Sequence, residues 1–272
     1  MTQEMSEKDT RRPSYETDVT DEQWARLAPL IPPHPAGPGR QRGVDMREVI
    51  NALFYLTRSG CQWQLLPHDF PKWGAVRYYY DLWADDGTWQ RINDALREAD
   101  RERTGREAVP SAAIIDSQSV KTTEAGGPVG FDAGKKVKGR KRHLLVDTGG
   151  RLIRVVVTPA DMSDREGAEC VFLNIEAVAS RLAKLWADQN YSGELVEWLK
   201  SELQLELEIV RKLADQHTFV VHPRRWVVER TFAWLGRYRR LSKDYEHYTE
   251  CSESMLYLAS IHLLSQRLAK SA

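Results

Sequence analysis

The sequence predicts a mixed α/β protein: a five-stranded mixed sheet flanked by helices, preceded by a small all-α unit. Three observations carry this. Between residues 18 and 107 the apolar side chains recur at helical spacing, interrupted by Pro- and Gly-bearing breaks. From residue 108 onward, short β-rich runs alternate with amphipathic stretches. The charged stretch 101–110, ending in Pro110, separates the two patterns and reads as a linker.

Residues 1–17 are polar and charged with no apolar run, so they read as a disordered tail and not as a secretory signal. Thr20 and Gln23 then stand at capping-box spacing ahead of Trp24, Leu27 and Leu30. The segment PPHPAGPGRQRG, residues 32–43, cannot continue a helix. A second helix carries Val49, Ala52, Leu53 and Leu56 on one face and stops at Gly60. A third is expected from Lys72 to about Asp85, and a fourth from Thr88 with Trp89, Ile92 and Leu96 as its buried stripe. This unit is compatible with a helix-turn-helix arrangement. Lys72, Arg77 and Tyr78–Tyr80 then either meet phosphates and bases or belong to an ordinary helical core.

In the second part, AAIID is a short apolar strand. HLLVDTGGRLIRVVVTPA reads as a hairpin turning at Asp147-Thr148-Gly149-Gly150. Residues 164–179 form an amphipathic helix, LAKLWA a strand, 192–201 a short helix and LELEIV a fifth strand. Helices at roughly 224–240 and 250–269 close the chain.

Composition narrows the function classes. Lys and Arg balance Asp and Glu at 39 each, but unevenly along the chain. Residues 121–154 hold nine basic and three acidic side chains, and residues 211–243 hold nine against two. Each run is either a solvated face or a path for a polyanion. No apolar run is long enough to span a bilayer. Cys61, Cys170 and Cys251 lack paired spacing, so reduced thiols and a cytoplasmic location are expected.

Three carboxylates stand out. Asp116 ends AAIID, Asp188 ends LAKLWAD, and Glu229 lies inside the basic, aromatic segment RRWVVERTFAWLGRYRR. Two acids at strand ends and one on a nearby helix can converge at a sheet edge and hold divalent metals, which favour hard oxygen ligands. Each acid also has a plain reading. Asp116 can cap a turn, Asp188 can be a loop residue, and Glu229 can pair with Arg225 one helical turn earlier. The apolar neighbours Trp226, Val227, Val228, Phe232 and Leu235 suggest that the Glu229 helix is largely buried, and a buried acid needs a partner or a metal. Asp147 and Asp164 have structural explanations as turn residue and helix N-cap.

The blocks IIDSQSVKT, GKKVKGRKRHLLVDTGG, LWADQNYSG and RRWVVERTFAWLGRYRRLSKDYE resemble insertion-sequence transposases of the DDE type, nearest to the family numbered five in the wider family four/five set. DEQWARLAPLIP and CQWQLLPHDFPKW resemble that group's N-terminal domain, so the likeness covers nearly the whole chain. The resemblance implies an RNase H-like catalytic core at residues 108–272, behind a helical DNA-binding or dimerisation domain at 18–107. It implies catalytic and metal-holding acids at Asp116, Asp188 and Glu229, using two Mg²⁺ ions with Mn²⁺ as a substitute. With only 41 residues from Asp188 to Glu229, no inserted domain fits between them. The wider set's Y-x2-R-x3-E-x6-K signature is matched at Arg225 and Glu229; His222 replaces the Tyr, and Gly236 stands where the Lys would be, beside Arg237.

The implied activity is a DNA transposase. It binds terminal inverted repeats of double-stranded DNA, frees a 3′-OH at the element end by phosphodiester hydrolysis and joins it to target DNA, acting as a homodimer. Lys135, Lys136, Lys138, Arg140, Lys141, Arg142, Arg225, Arg237, Arg239 and Arg240 are the candidate DNA contacts. Trp226 or Trp234 stacks on an extruded base or belongs to the core. The alternatives are a catalytically silent DNA-binding protein of the same fold and a metal-dependent nuclease without strand transfer.

Overall fold

The computed structural model describes residues 12–33, 43–210 and 226–270. The capping box forms as its spacing predicts. Thr20 Oγ accepts from the Gln23 amide, Gln23 Oε1 accepts from the Thr20 amide, and α1 (Asp21–Leu27) begins there. Asp45 caps α2 (Met46–Ser59), which ends at Gly60 in the left-handed conformation, φ 74°. A Cβ at Gly60 would lie 2.9 Å from Arg239 Cβ, so both the turn and the packing demand glycine. Next come α3 (Trp73–Asp85) and α4 (Thr88–Arg103). The start of the expected linker is therefore helix, because Arg101 turns inward to a buried ion pair with Asp147.

Arg12 and Tyr15, expected within a disordered tail, are packed against the helical unit. Arg12 lies 4.1 Å over the Phe70 ring and pairs with Asp18 at 2.8 Å and Glu48 at 2.7 Å. Tyr15 stacks on the same ring. Residues 1–11 lie outside the described residues.

The sheet contains β1 (Ala112–Lys121), β2 (Gly130–Asp132), β3 (Val137–Asp147), β4 (Leu152–Pro159), β5 (Lys184–Ala187) and β6 (Glu206–Ile209). β3 pairs antiparallel with β1 on one edge and with β2 and β4 on the other. β5 is parallel to β1, and β6 is parallel to β5. The order β4-β3-β1-β5-β6 is the mixed, RNase H-like arrangement expected of the five anticipated strands. The three-residue β2 is a sixth, too short to show alternation in the sequence.

Helices cover both faces. On one face α5 (Asp164–Phe172), α6 (Glu176–Ala179) and α7 (Glu194–Leu203) bury Val171, Phe172, Ala179, Leu195 and Leu199 against Ala113, Ile115, Leu145 and Ile153. The single helix expected over 164–179 is thus two, broken where Asn174 takes φ 54°. On the other face, α8 (Trp226–Leu235) packs on β1, β3 and α9 (Thr249–Ala269), and α9 packs with the N-terminal helices. That core is continuous from Leu27, Phe54 and Trp83 through Ile114, Leu144 and Trp186 to Leu258 and Ile261. Each such side chain contributes about 1.5–3 kcal/mol on burial, so the helical unit and the sheet stabilise one another. Polar ties cross the same seam. Asn93 donates to the Leu152 carbonyl at 2.9 Å and accepts from Ser260 at 2.7 Å, while Arg151 pairs with Asp100 at 2.6 Å.

Candidate metal centre and nucleic-acid interface

The β1–β5 register builds the first half of the site. Ile114 pairs with Trp186, and two residues beyond that last pair stand Asp116 and Asp188. Side chains alternate along a strand, so both aspartates continue the face that carries Ile114 and Trp186. Both are half-buried. Asp188 follows β5 directly, as expected, but Asp116 does not end its strand. β1 runs on to Lys121, because it stays paired with the long β3 as far as Gly139.

Each aspartate is held by a nearby amide. Asp116 Oδ1 accepts from the Ser117 N–H at 2.7 Å, and Asp188 Oδ1 accepts from the Asn190 N–H at 2.9 Å. A third acid bonds the residues that follow them, Ser117 and Asn190. Asp164, its side chain only 10% exposed, accepts from the Ser117 hydroxyl at 2.7 Å and from Asn190 Nδ2 at 3.3 Å. Lys141 Nζ is 3.1 Å away. Burial alone would raise the Asp164 pKa, but the bonds from Ser117 and Lys141 and the lysine charges hold it below its ordinary value. The buried Tyr191 phenol is pushed well above its usual value, first by burial and then by the negative charge of Asp116, Asp164 and Asp188 together. Asp164 was expected to cap α5; Ser163 does so, which leaves Asp164 free to turn toward the sheet.

Glu229 lies on α8, which packs on β1 and β3 through Val227 and Val228, over the aspartates' face of the sheet. The helix is pinned where Arg230 and Thr231 donate to the carbonyls of Gly149 and Gly150, at 3.1 and 3.0 Å. Only one side of it is buried. Glu229 is exposed, contrary to the burial expected from its apolar neighbours. Those neighbours are spread around the helix, so part of the apolar set, Trp226 included, also faces solvent. Trp226 and Trp234 bracket the Arg230 guanidinium at 4.2 and 4.5 Å.

The donor chemistry, all carboxylate, suits a hard divalent cation. Among the described residues, however, no group of three His, Cys, Asp or Glu is gathered to hold one. The ladder sets Asp116 and Asp188 at equivalent positions on adjacent strands, and Glu229 lies on α8, which packs on β1 and β3.

The basic candidates divide by position. Lys135, Lys136 and Lys138, in and beside the β2–β3 turn, are exposed, as are Arg237 and Arg239. Lys135 Nζ lies 3.2 Å from the Ser117 carbonyl, next to Asp116. Arg140, Lys141, Arg142 and Arg240 are corrected to internal roles. Arg140 is fully buried and donates to Asp244, Ser252 and the carbonyls of Pro128, Glu246 and His247. Arg142 donates to the Leu241 and Lys243 carbonyls, and Arg240 pairs with Glu246 at 2.7 Å. The physical reason is the pleat. β3 is covered on both faces, so Arg140 and Arg142 point to the α9 side and Lys141 to the α5 side. Arg225 and His222 lie outside the described residues. In the helical unit Tyr80 is core, Arg77 pairs with Asp81 at 2.7 Å, and Tyr78 is exposed. The cysteines are free thiols.

Among the described residues no helix is long and apolar enough to cross a membrane. A family model described as a transposase DDE domain matches residues 107–264, more than half of the chain. Another, described as "Putative transposase of IS4/5 family", matches residues 19–93. An uncharacterized 16.2 kDa protein of insertion element IS402 from Burkholderia cepacia is 27% identical over 118 residues, covering 41% of this chain and 78% of that protein. A "Putative transposase for insertion sequence element IS402" from the same organism is 26% identical over 127 residues, covering 44% of this chain and 60% of that protein. A crystal structure of the Mos1 mariner paired end complex with Mn is 12% identical, with a TM-score of 0.30, covering 92% of this chain and 85% of that chain.

Proposed function

The chain belongs to the DDE transposases of the IS4/5 family, and on that premise we propose that it cuts and joins DNA at the ends of an insertion element. The observation that carries this reading is the placement of Asp116 and Asp188 in one register on adjacent parallel strands. Asp116, Asp188 and Glu229 are the residues that would hold Mg²⁺ or Mn²⁺. The bound ions would supply a Lewis acid for the phosphoryl oxygens and lower the pKa of an attacking water.

The chain's own residues do the rest. The amides of Ser117 and Asn190 orient the two aspartates. Lys135 sets a cation beside Asp116, where an approaching phosphate needs its charge offset. Lys136, Lys138, Arg237 and Arg239, all exposed, neutralise the DNA backbone farther out; Arg225 belongs to this set by family resemblance. Water attacks a phosphodiester at the element end and releases a 3′-OH. That hydroxyl attacks a target phosphodiester, one P–O bond forming as another breaks, with no covalent protein intermediate. Two ends must be handled together, so a homodimer is the working form. The DNA-binding or dimerisation part is taken as residues 18–107 and the catalytic part as 108–272, the division following the end of α4 at Arg103.

The test incubates the protein with a labelled duplex carrying the element end, a supercoiled target plasmid and Mg²⁺. Joined product is the expected result. Cleavage without joining points to the nuclease reading, and binding without cleavage to a catalytically silent DNA-binding protein.

A further inference from the structure

Asp164, its side chain 10% exposed, reaches the supports of both aspartates. Its Oδ1 accepts from Ser117 Oγ at 2.7 Å, and the Ser117 amide holds Asp116. Its Oδ2 accepts from Asn190 Nδ2 at 3.3 Å, and the Asn190 amide holds Asp188. One planar carboxylate thus spans the two loop-and-strand segments that carry the aspartates, although it lies 48 residues from Asp116 and 24 from Asp188. The carboxylate is itself fixed. Lys141, its side chain 8% exposed, gives Nζ to Asp164 Oδ1 at 3.1 Å and donates to the Met162 carbonyl at 2.7 Å. Lys135 Nζ adds a bond to Ser117 Oγ at 3.2 Å.

From this juxtaposition we infer that Asp164, seated by Lys141, is a positioning residue that sets the separation of Asp116 and Asp188 and so their joint affinity for a divalent cation. The inference rests on the reading that those two aspartates hold the metal. The physical case is that of an outer-shell partner. A carboxylate ligand with a fixed amide partner needs little reordering when an ion arrives, and changing such partners elsewhere costs about 10–100-fold in metal affinity. Asp164 differs from an ordinary partner in serving two ligands at once. Cutting one arm therefore loosens one aspartate, and replacing Asp164 loosens their spacing.

The experiment titrates Mn²⁺ alone into the full chain without DNA, with free Mn²⁺ read by its electron paramagnetic resonance signal. The variants are Asp164→Asn, Ser117→Ala, Asn190→Ala and Asp188→Asn, each with its thermal midpoint recorded. The inference expects Asp164→Asn to weaken Mn²⁺ binding about 10–100-fold, with a lowered midpoint because Lys141 loses its partner, while the one-arm variants keep that pair and their midpoint. It expects the one-arm variants to fall between that and wild type, and Asp188→Asn to weaken binding most. If Asp188→Asn weakens binding while Asp164→Asn and both one-arm variants do not, the positioning role is overturned and the metal reading stands. If Asp188→Asn itself leaves Mn²⁺ affinity unchanged, the metal reading fails and takes this inference with it. Should Asp164→Asn fail to fold, Ser117→Ala and Asn190→Ala decide alone, wild-type affinity in both overturning the role.

Discussion

Asp116 and Asp188 sit on adjacent strands, where the β1–β5 ladder leaves each two residues past the Ile114–Trp186 pair. Glu229 sits on a ten-residue helix held to the same face by Val227 and Val228 and by two bonds to a hairpin turn. A ladder fixes position in whole residues, and a slip of one would turn every side chain to the other face. A docked helix has no such register; its glutamate is exposed and outside any three-ligand group of the described residues. The contrast teaches that two of the three proposed acids are preset by backbone pairing, while the third depends on how one helix lies.

The largest effect that sharpens this contrast is in metal binding without DNA. Asp116→Asn and Asp188→Asn should lower Mn²⁺ affinity by more than the ~100-fold that an outer-shell change costs. Glu229→Gln should leave it unchanged within error while still impairing cleavage of bound DNA. Equal losses of Mn²⁺ affinity in calorimetric titration of all three would erase the distinction.

The same physics sorts the basic residues. Arg140→Ala leaves Asp244 as a buried charge without its guanidinium, so denaturant unfolding should show a loss of about 3–5 kcal/mol. Lys136→Ala with Lys138→Ala, in and beside the turn, should change stability by less than about 0.5 kcal/mol. It should instead weaken DNA binding and reduce the salt slope by about two. A normal salt slope in that double variant would remove the turn from the DNA path.

A smaller effect tests helix docking away from the site. Glu253 on α9 accepts from the Val157 amide of β4 at 2.8 Å, and burial raises its pKa to about 7, the hydrogen bond opposing only in part. The folded state therefore holds a proton that the unfolded chain releases above its ordinary 4.5, and stability is lost as pH rises from about 4.5 to 7. Glu253→Gln keeps the acceptor and removes the ionisation. It should raise stability by about 1–3 kcal/mol above pH 7 and by little below pH 4.5. A thermal midpoint raised equally at pH 4 and pH 8 would contradict that origin.

Much of this was legible because the signals were local. The Thr20 box, the Gly60 stop, the 147–150 turn and the short strands each depend on a few neighbouring residues. The two aspartates were legible for the same reason, since each ends an apolar run. What was not legible was long-range. GRKRH reads as a basic surface run unless the strand that holds HLLVD is extended back to Val137, which is where it begins. The link from Asp164 to Ser117 joins residues 47 apart and leaves no mark on either segment. The exposure of Glu229 follows from which side of α8 meets the sheet, and a helix with apolar residues around most of its circumference does not declare that side.

The central claim is that this ladder-set pair is the catalytic one. The most direct test follows cleavage of a labelled element-end duplex by wild type and by Asp188→Asn in Mg²⁺, with DNA binding measured alongside. The account predicts cleavage by the wild type, a loss of roughly 10³-fold or more in the variant, as expected for several kcal/mol of metal-derived stabilisation, and retained DNA affinity. Equal cleavage by both proteins would contradict it.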